Sequence, residues 1–232
     1  MNTMDNSPST PKDFIRLARP GHWIKNLLVL APLFFGLKLT DRTLLVRALL
    51  AFAAFSLAAS AVYVFNDMKD AESDRRHPVK RTRPIAAGHV SQGKAVTFMA
   101  LLTAVSVGIP FFLLSPSVAM WICVYLLLNM AYSMGLKHVA ILDVFIIALG
   151  FLLRPEVGSA ATGIPLSMWI LLITFVMALF IGLAKRRDDL ILAENGVSST
   201  RAAMDNFLKI KGEVDPDHRF TSLQSKRLAI TR

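Results

Sequence analysis

The stretch Asn66–Gly88, NDMKDAESDRRHPVKRTRPIAAG, follows directly on a long apolar run. Asp67, Asp70 and Asp74 stand at positions i, i+3 and i+7. On a helix that spacing puts all three carboxylates on one face. Three carboxylates side by side repel one another and are costly beside a bilayer unless a cation holds them. Mg²⁺ suits such a site because it takes oxygen ligands and shares its shell with substrate phosphates. Arg75, Arg76, Lys80, Arg81 and Arg83 follow at once, with His77 among them. A positively charged loop alone accounts for the basic residues but not for the three spaced acids. The combination predicts a Mg²⁺-diphosphate site at a membrane surface.

The rest of the chain supplies the membrane. Of its 232 residues, 54% are hydrophobic, and the mean hydropathy is +0.50. The apolar residues fall in runs that predict an all-α, polytopic transmembrane bundle of about six spans. The expected spans are 27–37, 44–65, 95–114, 118–133, 139–153 and 166–184. Residues 14–26 contain Pro20-Gly21 and predict a short interfacial helix that breaks before the first span. Residues 1–13 read as a disordered tail, 14–190 as the transmembrane domain and 191–232 as a polar cytoplasmic tail.

The formal charge is +10. Such a balance often signals nucleic acid, but among membrane-length runs it points to an anionic membrane surface and anionic substrates. With six spans and the N-terminus inside, the inside segments hold 22 of the 26 Lys and Arg. This positive-inside bias places loop 66–94, the turn Tyr132–His138 and the stretch Lys185–Asp189 on the cytoplasmic side. The expected location is the inner (plasma) membrane, multi-pass. The single cysteine, Cys123, excludes an intrachain disulfide and a cysteine metal site. No Ser-His-Asp set, glycine-rich nucleotide loop or zinc motif is present.

Three polar residues inside the runs carry expectations of their own. Asp143 pairs with Lys137 or Arg154, or lines the pocket. Arg154 ends the fifth span as a snorkelling anchor, and Asn129 hydrogen-bonds between helices.

The pattern NDxxDxxxD followed by R-x-H-P-x-K-x-R-P resembles the first aspartate-rich motif of the UbiA superfamily of intramembrane prenyltransferases. ARPGHWIKNLLVLAPLFF, YSMGLKHVAILDVFIIALGFLLR and LAKRRDDL resemble its branch that transfers phosphoribose to polyprenyl phosphates. The resemblance covers about residues 14–192. It implies an enzyme, a helical membrane bundle with a cytoplasmic active site. The implied reaction moves 5-phosphoribose from phosphoribosyl diphosphate to a polyprenyl phosphate lipid for cell-envelope glycan precursors. The implied roles are Mg²⁺ binding by Asp67, Asp70 and Asp74, supported by Asn66. Arg75, His77, Lys80 and Arg83 would bind phosphate, and Tyr132 and Lys137 would line the donor pocket. Lys185, Arg186 and Asp189 would form a second charged motif, and Lys25 and Asn26 the contribution of the first helix. Members of the superfamily commonly have nine spans, so six imply a chain short at its C-terminus. The alternatives are prenyl transfer to an aromatic acceptor, or a truncated, non-catalytic membrane protein that binds polyanions. The oligomeric state is left open by the sequence.

Overall fold

The computed structural model describes residues 9–77, 79–136 and 140–194. Among these the elements are all helical: α1 (Pro11–Ala18), a 3-10 helix (Pro20–Leu30), α2 (Ala31–Phe35), α3 (Arg42–Lys69), α4 (Ala71–Arg76), α5 (Gln92–Leu113), α6 (Pro116–Met134), α7 (Ala140–Thr162) and α8 (Met168–Glu194), with a short 3-10 turn at Lys80–Thr82. The chain divides into two units, Met1–Leu179 and Phe180–Arg232. The first holds everything from α1 to the early turns of α8; the second is described only by the rest of α8.

In the first unit α3 is the central post. Asp41 caps its start by accepting from the backbone N–H groups of Thr43 and Leu44 at 2.9 and 3.1 Å. Its buried face is rich in alanine, including Ala48, Ala51, Ala54, Ala58 and Ala61, which lets neighbouring backbones come close. Helices α5, α6 and α7 and the 3-10 helix pack around it. Phe55, Val64, Val118, Ile122 and Val157 fill the core and are fully buried.

Four helices among the described residues are long and apolar enough to cross a membrane: Arg42–Lys69, Gln92–Leu113, Pro116–Met134 and Leu142–Thr162. The apolar stretch Met168–Ala184 is shorter. The expected fifth span ends too early at residue 153, because α7 continues through Pro155 to Thr162. The helix persists because Val157 and Ala161, one and two turns on, are fully buried in the bundle.

The expected first span, 27–37, is not one continuous α-helix. Pro20 begins an eleven-residue 3-10 helix, followed by the five residues of α2. Rises of about 2.0 and 1.5 Å per residue give a path of roughly 30 Å, the thickness of a bilayer core. Three residues per turn put Trp23, Asn26 and Val29 on one face. Asn26 and Val29 are buried and Trp23 half-buried, while Ile24, Lys25 and Leu27 are exposed. The buried face lies along α3: Trp23 Nε1 donates to Ser60 Oγ and Asn26 Nδ2 to Ser56 Oγ, both at 3.1 Å. At the deeper end α7 touches this segment at Gly158, where a Cβ would run into the Val29 carbonyl.

Helix α1 starts at Pro11, inside the segment expected to be a disordered tail. Thr10 and Asp13 pair at that start, with Thr10 N–H and Oγ1 donating to Asp13 Oδ2 at 2.9 and 2.7 Å. Residues 1–8 of that tail lie outside the described residues, as do residues 195–232 of the tail expected over 191–232, whose first four residues continue α8.

Candidate active site

The site is built at the end of α3. Asp67 sits in its last turn and is 3% exposed, and Asp74 in α4 is equally buried. Asp70 is the residue between the two helices, with φ −90° and ψ 4°. The helix is therefore interrupted at the middle carboxylate, and the three acids do not share one unbroken helical face. Among the described residues no three acidic, histidine or cysteine side chains converge as a metal cluster. What converges is a pair. Arg83 Nη1 donates to Asp74 Oδ2 at 2.7 Å and to Asp67 Oδ1 at 3.1 Å. A second guanidinium, Arg19, donates from Nη2 to the same Asp67 oxygen at 2.5 Å.

Two arginines thus neutralise two buried carboxylates, as burial of such charges requires. Arg83 reaches in from the loop after the short 3-10 turn. Arg75 steadies that loop by donating from Nε to the Ala86 carbonyl at 3.3 Å. Arg19 stands between α1 and the 3-10 helix in the left-handed region, φ 50° and ψ 56°. Its guanidinium lies 5.2 Å from the Tyr63 ring centroid, which directs it toward Asp67. Sequence reasoning missed Arg19. The signal was the Arg-Pro at residues 19–20, quoted in the first-segment motif with no role given to Arg19.

A second link ties α3 to α6. Ser133 Oγ donates to Asn66 Oδ1, and Lys69 Nζ donates to the Ser133 carbonyl. Ser133, also missed, therefore holds Asn66 next to Asp67. Tyr132 donates to Asp143 Oδ1 at 2.7 Å, which joins the ends of α6 and α7. Asn129 donates to the Tyr125 carbonyl of its own helix, not across helices as expected.

Other expected residues take no part in these ion pairs. His77 Nδ1 accepts from the backbone N–H groups of Val79 and Lys80, shaping the turn. Lys80 and Lys25 are exposed. Asn26 is not with the carboxylates: it bonds Ser56, eleven residues or about 16 Å along α3 from Asp67. There it meets Arg154, which is buried and is no snorkelling anchor. Arg154 Nε donates to Asn26 Oδ1 at 3.0 Å, and Nη1 donates to the Gly150 carbonyl. Its guanidinium faces the rings of Phe151, Phe55 and Tyr125 at 4.8, 5.3 and 5.7 Å. Arg154 turns inward because α7 continues past it, so the residue lies within the packed span rather than at its end. Lys137 lies outside the described residues, as do the side chains of Lys185, Arg186 and Asp189, whose backbones belong to α8.

An apolar cavity of about 370 Å³ lies between α3, α5 and α6, lined by Ala61, Phe65, Met99, Ala100, Ala104 and Met130 among others. Phe65 precedes Asn66, and Met130 is one turn before Ser133. The cavity and the polar pair thus share the same ends of α3 and α6.

The donor set fits a divalent cation at two carboxylates. A positively charged nitrogen already bridges Asp67 and Asp74, and Mg²⁺ is usually held by one or two carboxylates plus substrate phosphates.

Fold and site together define a polytopic helical membrane protein with a charged centre at the end of its main helix. The sequence matches the UbiA prenyltransferase family over residues 28–199, and the chain belongs to that family. It is similar to the decaprenyl-phosphate phosphoribosyltransferase of Mycolicibacterium smegmatis, 41% identical over 83% of this chain and 62% of that one. The Corynebacterium glutamicum protein of the same name is 38% identical over 83% of this chain and 59% of its own. The chain thus spans about three fifths of the length of the curated relatives it matches. In fold it is similar to a UbiA homolog from Archaeoglobus fulgidus solved with GPP and Mg²⁺. The TM-score is 0.66 at 18% identity, covering 94% of this chain and 82% of that one.

Proposed function

We propose that this chain is an integral-membrane transferase that moves 5-phosphoribose from phosphoribosyl diphosphate to a polyprenyl phosphate, with Mg²⁺. The site opens to the cytoplasmic face of the inner membrane, and the product is a precursor for cell-envelope glycans. The observation that carries this reading is the Asp67–Arg83–Asp74 bridge at the end of an apolar helix. The phosphoribosyltransferase name of the relatives supports the choice of donor and acceptor.

The residues divide the work. Asp67 and Asp74 hold the cation, and Asp70, at the helix break, completes the acidic motif. Arg83, Arg75, Lys80 and His77 surround the phosphate oxygens of the donor. Tyr132 and Lys137 bind the donor, and Asn66 steadies Asp67. Lys185, Arg186 and Asp189 form the second charged motif. The apolar cavity takes the first isoprene units of the acceptor.

Bound Mg²⁺ supplies charge neutralisation of the departing diphosphate. Guanidinium donors stabilise the same developing charge at fixed positions. The nucleophile is a phosphate oxygen that is already anionic, so the site requires no strong general base. That agrees with a site composed of acids and cations.

The test is transfer in detergent. Purified protein receives phosphoribosyl diphosphate labelled in the ribose, polyprenyl phosphate and Mg²⁺. Label passing into the lipid phase, and stopped by EDTA, is the expected result. Label that stays in the aqueous phase under both conditions contradicts the reading.

A further inference from the structure

Asp67 Oδ1 is approached by two guanidiniums, Arg19 at 2.5 Å and Arg83 at 3.1 Å. Arg83 reaches on to Asp74 at 2.7 Å. Two carboxylates and two guanidiniums make this cluster electrically neutral. The carboxylates are 3–4% exposed, whereas the Arg19 and Arg83 side chains are 22% and 28% exposed. The acids are therefore fixed in the bundle while the arginines reach in from the open side.

We propose that Arg19 and Arg83 are exchangeable counter-ions, which leave Asp67 and Asp74 for the diphosphate of the donor when a divalent cation takes the carboxylates. The proposal rests on the metal-diphosphate reading of this site and adds the coupling of the two ligands and a role for Arg19. A divalent cation entering alone would place a double positive charge beside two guanidiniums only a few ångströms away. At that range like charges repel strongly in a partly buried site. A diphosphate entering alone would meet two arginines already paired and two buried carboxylates. When both enter, the cation meets the carboxylates, the guanidiniums meet the phosphate oxygens, and every charge has a partner. Metal and diphosphate must then raise each other's affinity by the same factor.

The backbone suits the exchange. Arg19 is held at φ 50° and followed by Pro20, so its main chain is fixed. The Tyr63 ring lies beneath the guanidinium, and only the side chain needs to move. Arg83 is followed by Pro84, and its own N–H donates to the Lys80 carbonyl at 3.0 Å. Guanidiniums suit the new partner because their planar donors match phosphate oxygens.

The test is equilibrium dialysis of radiolabelled Mn²⁺ against the full chain in detergent, with and without inorganic diphosphate. Wild-type protein is expected to bind Mn²⁺ weakly alone, and about tenfold or more tightly with diphosphate. Arg83→Gln and, independently, Arg19→Gln should bind Mn²⁺ alone more tightly than wild type and lose much of the gain from diphosphate. Arg83→Lys, which keeps the charge, should restore weak binding of Mn²⁺ alone. If neither glutamine variant binds Mn²⁺ alone more tightly, while Asp74→Asn abolishes binding, the exchange is wrong and the metal site stands. If no protein binds Mn²⁺ even with diphosphate, the underlying reading of the site falls and the exchange falls with it.

Discussion

Arg154 on α7 donates from Nε to Oδ1 of Asn26 in the 3-10 helix at 3.0 Å, joining positions 128 residues apart. Asn26 in turn donates to Ser56 on α3. One buried amide thus connects the three elements that surround the deep half of the bundle.

The two partners differ in what their loss leaves behind. Asn26→Leu takes the acceptor from Nε of a buried guanidinium and should cost about 2–3 kcal/mol. Arg154→Met removes the charge together with its need for a partner and should cost less. Thermal unfolding in detergent measures both, and a larger loss for Arg154→Met would contradict this assignment.

Close approach of the 3-10 helix to α7 depends on Gly158. A methyl group there would meet the Val29 carbonyl, so Gly158→Ala should destabilise by about 1–3 kcal/mol. Gly108 in α5 has open space around its Cβ position, and Gly108→Ala should be neutral or stabilising by up to about 1 kcal/mol. Equal melting temperatures for the two variants would show that the segments are not in contact.

Much of this arrangement was legible in the sequence, and the failures have physical causes. The apolar runs and the acid spacing of Asp67, Asp70 and Asp74 are local signals, and they led to a helical membrane bundle with the charged centre at the end of α3. The first span failed because an α-helical period was applied to it. Trp23, Asn26 and Val29 recur every three residues, which is the period of the observed 3-10 helix. Arg154 was misread because the fifth span was ended at residue 153, while the burial of Val157 and Ala161 keeps the helix going. Arg19 and Ser133 were missed because their partners, Asp67 and Asn66, are 48 and 67 residues away. No periodicity within one element reports such pairings.

The apolar cavity makes a kinetic prediction. Ala100→Phe places a ring in the space between α3, α5 and α6. It should raise KM for polyprenyl phosphate by about tenfold while leaving donor binding unchanged, as filling an apolar acceptor pocket requires. A variant with weakened donor binding and an unchanged lipid KM would move the lipid site elsewhere.

The central claim is that Asp67 and Asp74 hold a donor diphosphate through a divalent cation. Equilibrium binding of phosphoribosyl diphosphate to the wild type and to Asp74→Asn, each with Mg²⁺ and with EDTA, tests it most directly. The account predicts tight binding only for the wild type with Mg²⁺, and loss in Asp74→Asn to the level seen with EDTA. Binding that is indifferent to Mg²⁺, or unchanged in Asp74→Asn, would contradict it.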